Sequence, residues 1–185
     1  LGAFGDGGAI FTNDSDLAEK IYLAANHGQN KKYHHKIIGC NSRLDSIQAE
    51  ILNVKLKYLD SYNKARNEMA DKYNNAFKIL DEVQIPQVIQ NSNHVYHQYT
   101  LKILVPSKRD SLKKYLFENN IPSMIYYPIP LYRQEAFRKY VKEDFRLENT
   151  EFLAENVISL PIHTEIENSK QDYIIEKVIN FFKWK

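Results

Sequence analysis

The chain has 185 residues, a length that suits one domain or one and a half, and 43% of them are hydrophobic while 26% are charged. Its formal net charge of +2 at pH 7 gives no argument for nucleic-acid binding, and no apolar run approaches the roughly 20 residues that span a membrane. The single cysteine, Cys40, excludes an internal disulfide and is typical of a reducing compartment, so we expect a soluble cytoplasmic protein.

The N-terminal segment is rich in glycine, with four of the six glycines in the first eight residues. Glycine occurs where the backbone needs a positive φ or approaches another group closely. A chain that starts in such a stretch is interpreted as starting inside a site of a larger protein. Residues 9–12 then predict a short buried strand, and residues 13–16 supply capping groups for a helix that ends near Gly28.

The strongest periodic signal runs from Leu44 to Leu80, where apolar residues recur every three or four positions without an intervening Gly or Pro. This pattern predicts one helix of about 37 residues and roughly 55 Å. Ser42 and Asp45 resemble a capping box at its start. A coiled coil is an alternative, but Asn and Tyr occur where its flanking charges are expected, which favours a helix that joins two domains.

Beyond residue 80 the pattern changes between short extended pieces and helices. The predicted strand at 95–105 places Val95, His97, Tyr99, Leu101, Ile103 and Val105 on one face. The other predicted elements are an extended piece at 83–86, a strand at 123–127, an extended piece at 159–162, and helices at 107–117, 150–157 and 169–182. This order predicts a small α+β domain packed on the long helix.

Six landmarks, in this order, resemble the DegT/DnrJ/EryC1/StrS family of pyridoxal 5'-phosphate (PLP)-dependent sugar aminotransferases. They are residues 1–9, His27-Gly28, Tyr33 and His35 before Gly39-x-Asn41-x-Arg43, Gln48-Ala49, the Pro-rich segment from Tyr127 to Leu131, and Leu160-Pro161. Each landmark alone is a weak signal, and the complete series carries the resemblance.

The resemblance implies an α/β fold, the C-terminal part of a fold-type I PLP-dependent transferase. Residues 1–41 would be the end of the large PLP-binding domain, residues 42–80 the long interdomain helix, and residues 81–185 the small C-terminal α+β domain. The resemblance also places the lysine that forms the Schiff base with PLP two residues before Leu1. We therefore expect no catalytic residue in these 185 residues, and an inactive fragment when they are isolated.

Asn41 is the cofactor-binding residue that the resemblance implies. The corresponding asparagine reaches the PLP phosphate of the partner subunit in a dimer, and an amide NH₂ suits a phosphate oxygen. A helix N-cap at Asn41 or Ser42 is the alternative. Arg43 is a candidate for binding a carboxylate or phosphate of the amino donor or substrate, with an ordinary first-turn ion pair as the alternative.

The resemblance adds His35, Tyr127 and Tyr132 as substrate-binding residues. Tyr132 stands where many family members carry His, so this position keeps a hydroxyl and a ring but loses a group that titrates near neutrality. The adjacent His34 and His35 do not predict a metal site, because no Cys or carboxylate follows at ligand spacing.

The implied activity is transfer of an amino group from an L-amino acid, expected to be glutamate, to a nucleotide-linked keto-deoxysugar. The expected assembly is a homodimer, with neither nucleic acid nor membrane as a partner. A sugar 3-dehydratase of the same family, in which His replaces the Schiff-base lysine, is one alternative. A non-catalytic truncated or regulatory paralogue is another, and a helical interaction module built on residues 42–80 is a third.

Overall fold

The computed structural model describes residues 1–105, 107–142 and 144–183, and its contacts divide the chain into two units, Leu1–Asp60 and Ser61–Lys185. The first unit contains helix α1 (Ser15–Ala25), strands β1 (Gln29–Lys31) and β2 (His34–His35), and helix α2 (Ser46–Leu56). Helix α3 (Leu59–Phe77) begins at the boundary and belongs to the second unit after Asp60. The domain limits inferred from the resemblance stay a prediction.

Helix α1 begins and ends as the sequence predicts. The carboxylate of Asp14 accepts a hydrogen bond from the Leu17 N–H at 3.0 Å, which satisfies one of the unpaired donors of the first turn. At the other end Gly28 has a φ of 72°, and a Cβ there would lie 1.7 Å from the Ile37 carbonyl oxygen. Only glycine fits this stop, which turns the chain into the antiparallel β1–β2 hairpin.

The strand predicted at 9–12 is wrong. These residues form no strand in the described part of the chain, and the side chains of Ile10 and Phe11 are 70% and 92% exposed. A strand needs a neighbouring strand to pair its backbone N–H and C=O groups. Apolar composition alone therefore could not decide this segment.

The single long helix is also wrong, because Lys57 and Tyr58 form a turn between α2 and α3. The Tyr58 N–H donates to the Lys55 carbonyl at 3.0 Å, the tighter i→i−3 bond that replaces the regular α-helical bond here. Helix α2 begins at Ser46 with Asp45 as its N-cap, and Asp45 makes no side-chain capping bond. The predicted cap at Ser42 is therefore wrong as well.

The second unit is built on a three-stranded antiparallel sheet in the order β3 (Val83–Gln84), β4 (Tyr99–Ile103) and β5 (Val157–Leu160). Val83 pairs with Ile103, and Tyr99 pairs with Leu160. Helices α4 (Lys108–Glu118), α5 (Glu148–Asn156) and α6 (Asn168–Lys183) lie within two residues of their predicted limits. Two short 3₁₀ helices, η1 (Leu131–Arg133) and η2 (Glu135–Tyr140), follow the Pro-rich turn.

The core of the second unit lies on one face of β4, where Tyr99, Leu101 and Ile103 are fully buried. The buried hydroxyls find partners: Tyr73 donates to the Pro161 carbonyl at 3.0 Å and Tyr99 donates to the Asn74 side-chain oxygen at 2.8 Å. Burial raises the pKa of both tyrosines well above the usual value, so both hydroxyls stay protonated.

Two strand predictions in the second unit were too long. His97 and Val95 are exposed, because the hydrogen-bonded ladder begins only at Tyr99. Within residues 123–127 only Met124 pairs with the sheet, through both backbone hydrogen bonds to Ser159. The predicted strand there is reduced to a single bridge, and the following residues leave the sheet toward η1.

Candidate functional site

A cavity of about 770 Å³ opens in the first unit between the glycine segment, α1 and residues 42–44. Its lining includes Asp6, Gly7, Gly8, Tyr22 and Arg43. A Cβ placed on Gly8 would have no heavy atom within 4 Å, so the space beside the Gly8 backbone is open. The cavity therefore combines exposed backbone with one carboxylate and one guanidinium.

The backbone beside this cavity is anchored to the end of α1. The Cys40 N–H donates to the Ala24 carbonyl at 2.8 Å, and the Ser42 N–H donates to the Ala25 carbonyl at 2.9 Å. Gly39 is required for this close approach, since a Cβ there would lie 2.4 Å from the Gly28 nitrogen. The segment that carries Asn41 and Arg43 is thus positioned by the hairpin and by α1 together.

Asn41 and Arg43 form a pair. The Arg43 Nε donates to the Asn41 Oδ1 at 2.8 Å, and both side chains are exposed. This bond uses the amide oxygen and orients the amide NH₂, which has no hydrogen-bond partner among the described residues. Helix α2 starts at Ser46, so neither Asn41 nor Ser42 caps it, and Arg43 forms no ion pair within the described chain. The N-cap considered for Asn41 or Ser42 and the ion pair considered for Arg43 are therefore both absent from the described chain.

Helix α2 holds the glycine segment through two side chains. The Gln48 Oε1 accepts a hydrogen bond from the Phe4 N–H at 2.8 Å, and the Lys55 Nζ donates to the Gly2 carbonyl. A Cβ at Gly5 would approach the Gln48 Nε2 to 3.2 Å. Gln48 was recognised from the sequence only as a landmark and Lys55 was not recognised, although their spacing of seven residues places both on one face of the helix.

His35 lies exposed on β2, where its Nδ1 is hydrogen-bonded to the His27 carbonyl at 2.8 Å. The bond closes the hairpin against the end of α1. The second ring nitrogen of His35, Nε2, has no hydrogen-bond partner in the described chain. Within the described residues no group of three or more His, Cys, Asp or Glu side chains could hold a metal ion.

In the second unit Tyr127 lines a cavity of about 500 Å³ together with Tyr126, Ile129, Leu131 and Leu153. The side chain of Tyr127 is 72% exposed. Aromatic and aliphatic groups dominate this lining, which suits a flat or apolar ring. We call this cavity the Tyr127 pocket.

Tyr132 lies in a different place from Tyr127. Its hydroxyl donates to the Glu151 carboxylate, accepts a hydrogen bond from the Leu147 N–H at 3.3 Å, and its ring packs edge-on against Phe145. Arg133 donates to the same carboxylate oxygen of Glu151. The hydrogen bonds from Tyr132 and then Arg133 hold the pKa of Glu151 below its usual value, and the bond to Glu151 raises the pKa of Arg133.

The five predicted residues thus fall into two groups: His35, Asn41 and Arg43 lie in the first unit, and Tyr127 and Tyr132 lie in the second. Glu151 was not recognised from the sequence because it lies in α5, well separated in sequence from the turn that it holds.

No helix among the described residues has the length and apolar character needed to cross a membrane.

The fold of this chain is similar to that of a solved aminotransferase. The chain is similar to S. venezuelae DesV with a TM-score of 0.91 and 32% identity, covering 100% of this chain and 49% of that chain. It is also similar to an aminotransferase from Brucella abortus, with a TM-score of 0.88 and 38% identity over 99% of this chain and 48% of that one. These structures confirm the predicted α/β fold class.

The model of the DegT/DnrJ/EryC1/StrS aminotransferase family matches residues 1–179, and the chain belongs to this family. It is 40% identical to a pleiotropic regulatory protein of Geobacillus stearothermophilus, over 99% of this chain and 49% of the relative. It is 39% identical to the dTDP-3-amino-3,6-dideoxy-alpha-D-galactopyranose transaminase of Aneurinibacillus thermoaerophilus, over 93% of this chain and 46% of the relative. The chain spans about half the length of these curated relatives.

Proposed function

We propose that the protein carrying this chain is a PLP-dependent aminotransferase that moves an amino group from an L-amino acid, glutamate, to a nucleotide-linked keto-deoxysugar. The observation that carries the proposal is the Asn41–Arg43 pair beside the cavity of the glycine segment. The relatives support the substrate class, since one is a dTDP-amino-sugar transaminase and another a UDP-2-acetamido-2-deoxy-3-oxo-D-glucuronate aminotransferase.

The groups around Asn41 fit a phosphorylated cofactor. The Arg43 bond turns the Asn41 amide so that its NH₂ remains available as a donor, and the guanidinium adds a positive charge beside it. A structure similar to this chain, from Bacillus subtilis with 27% identity, contains the cofactor PMP. When bound, PLP supplies the electron sink that amino-group transfer needs.

Each side chain of the site then has a defined task. In a homodimer the Asn41 NH₂ donates to the phosphate of the partner subunit's PLP, and Arg43 binds a carboxylate of the amino donor or a phosphate of the substrate. Gln48 and Lys55 hold the glycine segment, which by the resemblance begins two residues after the catalytic lysine. By the resemblance, His35 and Tyr127 bind the substrate, and the Tyr127 pocket suits a ring of it.

The test uses the full-length protein, glutamate and a dTDP- or UDP-linked keto-deoxysugar, with PLP binding followed by absorbance. Asn41→Ala should weaken PLP binding about fivefold to tenfold, because one hydrogen bond to a charged group is lost. The matched control is Asn53→Ala, which removes an exposed amide of α2 whose side chain is hydrogen-bonded to Glu50. Equal PLP affinity in both variants would contradict the role of Asn41.

Isolated residues 1–185 should show no turnover under the same conditions, because the resemblance places the catalytic lysine before Leu1. Turnover by the isolated chain would overturn this part of the proposal. The product distinguishes the dehydratase alternative from the aminotransferase, because a dehydratase would form a dideoxysugar without a new amine.

A regulatory protein is the second candidate function. The observation that favours it is the similarity to the G. stearothermophilus pleiotropic regulatory protein, together with a relative described as an erythromycin biosynthesis sensory transduction protein. It predicts that the full-length protein shows no amino-group transfer to any of the keto-sugars. Transamination above background would decide for the enzyme.

A further inference from the structure

The Tyr127 pocket has two walls that come from separate parts of the second unit. One wall consists of residues from the segment 126–134, which forms the Pro-rich turn and η1. The other wall consists of Thr150, Leu153 and Ala154 of helix α5. The separation between these two walls therefore sets the size of the ring that the pocket accepts.

Helix α5 is fixed to the core of the second unit. Ala154 is buried, and strand β5, which follows α5 directly, is buried at all four of its residues. The guanidinium of Arg109 in α4 donates to the carbonyls of Ala154 and Val157 at 2.9 and 3.3 Å. This wall of the pocket is thus placed by burial and by hydrogen bonds to a neighbouring helix.

The wall formed by the Pro-rich turn and η1 lacks such support. Both η1 and η2 lie within the described chain and contain no buried residue. The backbone hydrogen bonds described for residues 126–141 join residues of that segment to one another. Hydrogen bonds from this segment to the rest of the described chain run through the side chains of Tyr132 and Arg133. The position of this wall therefore depends on polar contacts more than on burial.

Glu151 of α5 receives both of these side chains. Its carboxylate accepts hydrogen bonds from the Tyr132 hydroxyl and the Arg133 guanidinium. The N–H of Leu147, the N-cap residue of α5, donates to the same Tyr132 hydroxyl at 3.3 Å. Leu147 and Glu151 are one helical turn apart, so two contact points fix both the distance and the direction of η1 relative to α5.

These contacts lie outside the Tyr127 pocket and leave its interior open. Tyr132 and Arg133 line a separate cavity of about 640 Å³ beside Tyr132. In sequence Glu151 lies between the pocket residues Thr150 and Leu153, but it does not line the pocket itself. The hydrogen bonds of Glu151 therefore act on the pocket by holding its walls together and not by contact with a ligand.

The charge of Glu151 strengthens this attachment. Its side chain is 20% exposed, and the hydrogen bonds from Tyr132 and Arg133 hold the pKa of the carboxyl below its usual value, so it stays ionised near neutrality. Hydrogen bonds to an ionised acceptor are roughly twice as strong as those between neutral groups. A neutral amide at this position would keep an acceptor oxygen but lose the charge.

We infer that Glu151 is a positioning residue that sets the width of the Tyr127 pocket and thereby selects the size of the sugar ring that binds there. The inference rests on the proposed function for the identity of the ring, and on the hydrogen bonds between α5 and η1 for the mechanism. Without Glu151 the η1 wall moves away from α5. Contacts with a small ring are then lost, and crowding around a bulky ring is relieved.

The experiment measures binding of UDP-glucose and UDP-N-acetylglucosamine to the full-length protein by calorimetry. The two probes differ only in the hydroxyl or acetamido group at position 2 of the sugar ring. Glu151→Ala should weaken UDP-glucose about fivefold to tenfold and UDP-N-acetylglucosamine by no more than about twofold. The ratio of the two dissociation constants should therefore shift in favour of the bulkier ring by about threefold or more.

Glu148→Ala is the matched control, because it removes another carboxylate from the first turn of α5 that is exposed and does not line the pocket. It should keep the wild-type ratio of dissociation constants. Glu151→Gln should shift the ratio less than Glu151→Ala, since the amide keeps an acceptor oxygen. An unchanged ratio in Glu151→Ala, or an equal shift in Glu148→Ala, overturns the inference.

A merely structural role of Glu151 gives a different result. Partial unfolding lowers the number of binding sites per chain and leaves the ratio of the two dissociation constants unchanged. Tyr132→Phe should shift the ratio in the same direction as Glu151→Ala, and the double variant should shift it no further than Glu151→Ala alone, because both changes remove the same contact. Additive shifts in the double variant contradict a shared action of the two residues on the pocket.

Failure of the proposed function is distinguishable from failure of this inference. A protein that binds both probes with the expected shift in Glu151→Ala but transfers no amino group defeats the proposed function alone. A protein that transaminates while Glu151→Ala keeps the wild-type ratio defeats the inference alone. A wild-type protein that binds neither probe overturns the assignment of a sugar ring to the Tyr127 pocket, and the inference with it.

Discussion

The side-chain oxygen of Gln48 accepts a hydrogen bond from the backbone N–H of Phe4 at 2.8 Å. One bond thus joins the first turn of α2 to the glycine segment, and Lys55 adds a second attachment at the Gly2 carbonyl. Because α2 also follows directly on the Asn41–Arg43 segment, the same helix orders the chain on both sides of the cavity. The site of the first unit is therefore organised by α2.

Gln48→Ala should remove the hydrogen bond that holds the glycine segment at Phe4, while leaving the side chains of Asn41 and Arg43 in place. Losing one hydrogen bond of this kind corresponds to about a fivefold reduction in affinity for PLP in the full-length protein. Titration of the apoprotein with PLP, followed by absorbance, measures the effect. Gln90→Ala, at an exposed glutamine of the second unit, is the control, and equal affinities in the two variants would show that Gln48 does not order the site.

Gly28→Ala should strongly destabilise the first unit. The residue has a φ of 72°, and an added Cβ would lie 1.7 Å from the Ile37 carbonyl oxygen, so the end of α1 and the hairpin would both have to move. We expect a loss of about 3 kcal/mol or more in the free energy of unfolding, as in other strongly overpacked or strained sites.

Gly8→Ala is the matched control for that experiment. Nothing lies within 4 Å of a Cβ at Gly8, so this change should cost less than about 1 kcal/mol. Denaturant titrations of the full-length protein compare the two variants. Similar midpoints would contradict the assignment of Gly28 as an obligatory glycine.

Local chemical signals made much of the fold predictable. A cap within residues 13–16 and a helix end at Gly28 were recognisable, because each acts on the few residues beside it. The α4, α5 and α6 helices followed from short periodic runs with clear ends. The turn at Lys57 and Tyr58 was not predictable, because apolar spacings of three and four fit an α-helix and a tighter 3₁₀ turn equally well.

The limits of the strands depended on pairing partners that are distant in sequence, and the lining of the cavity beside Tyr132 depended on how the chain turns after η2. The alternation through Val95 and His97 continues before Tyr99, yet only Tyr99 onward meets a neighbouring strand. Arg138, Lys142 and Arg146 line the cavity beside Tyr132, although no run of basic residues marks them in the sequence. The three side chains line the same cavity because of the way the chain turns after η2, and no local sequence pattern predicts this turn.

Glu151 should contribute to stability in a pH-dependent way. Hydrogen bonds from Tyr132 and Arg133 lower its pKa in the folded state below the ordinary value of 4.5. A lowered folded-state pKa means that the contribution is present above the unfolded value and is lost as the pH falls through the folded value. Stability of the second unit should therefore decline more steeply on acidification in the wild type than in Glu151→Gln.

Thermal unfolding of both proteins between about pH 3 and pH 7 measures this difference. Glu155→Gln, at an exposed glutamate of the same helix, is the control and should keep the wild-type pH profile. An identical acid profile for Glu151→Gln and wild type would show that the carboxylate does not hold η1 in place.

The Asn41–Arg43 hydrogen bond predicts that the two residues act on cofactor binding as a unit. If the Arg43 Nε orients the Asn41 amide, then Arg43→Ala lets the amide rotate and removes part of what Asn41→Ala removes. The double variant should therefore bind PLP more tightly than the product of the two single losses predicts, by about threefold to fivefold. Arg43→Lys should not restore the wild-type affinity, because a lysine lacks the planar Nε donor that meets the amide oxygen. PLP titrations of the full-length protein and the four variants complete the cycle, and strictly additive losses would contradict the orienting role of Arg43.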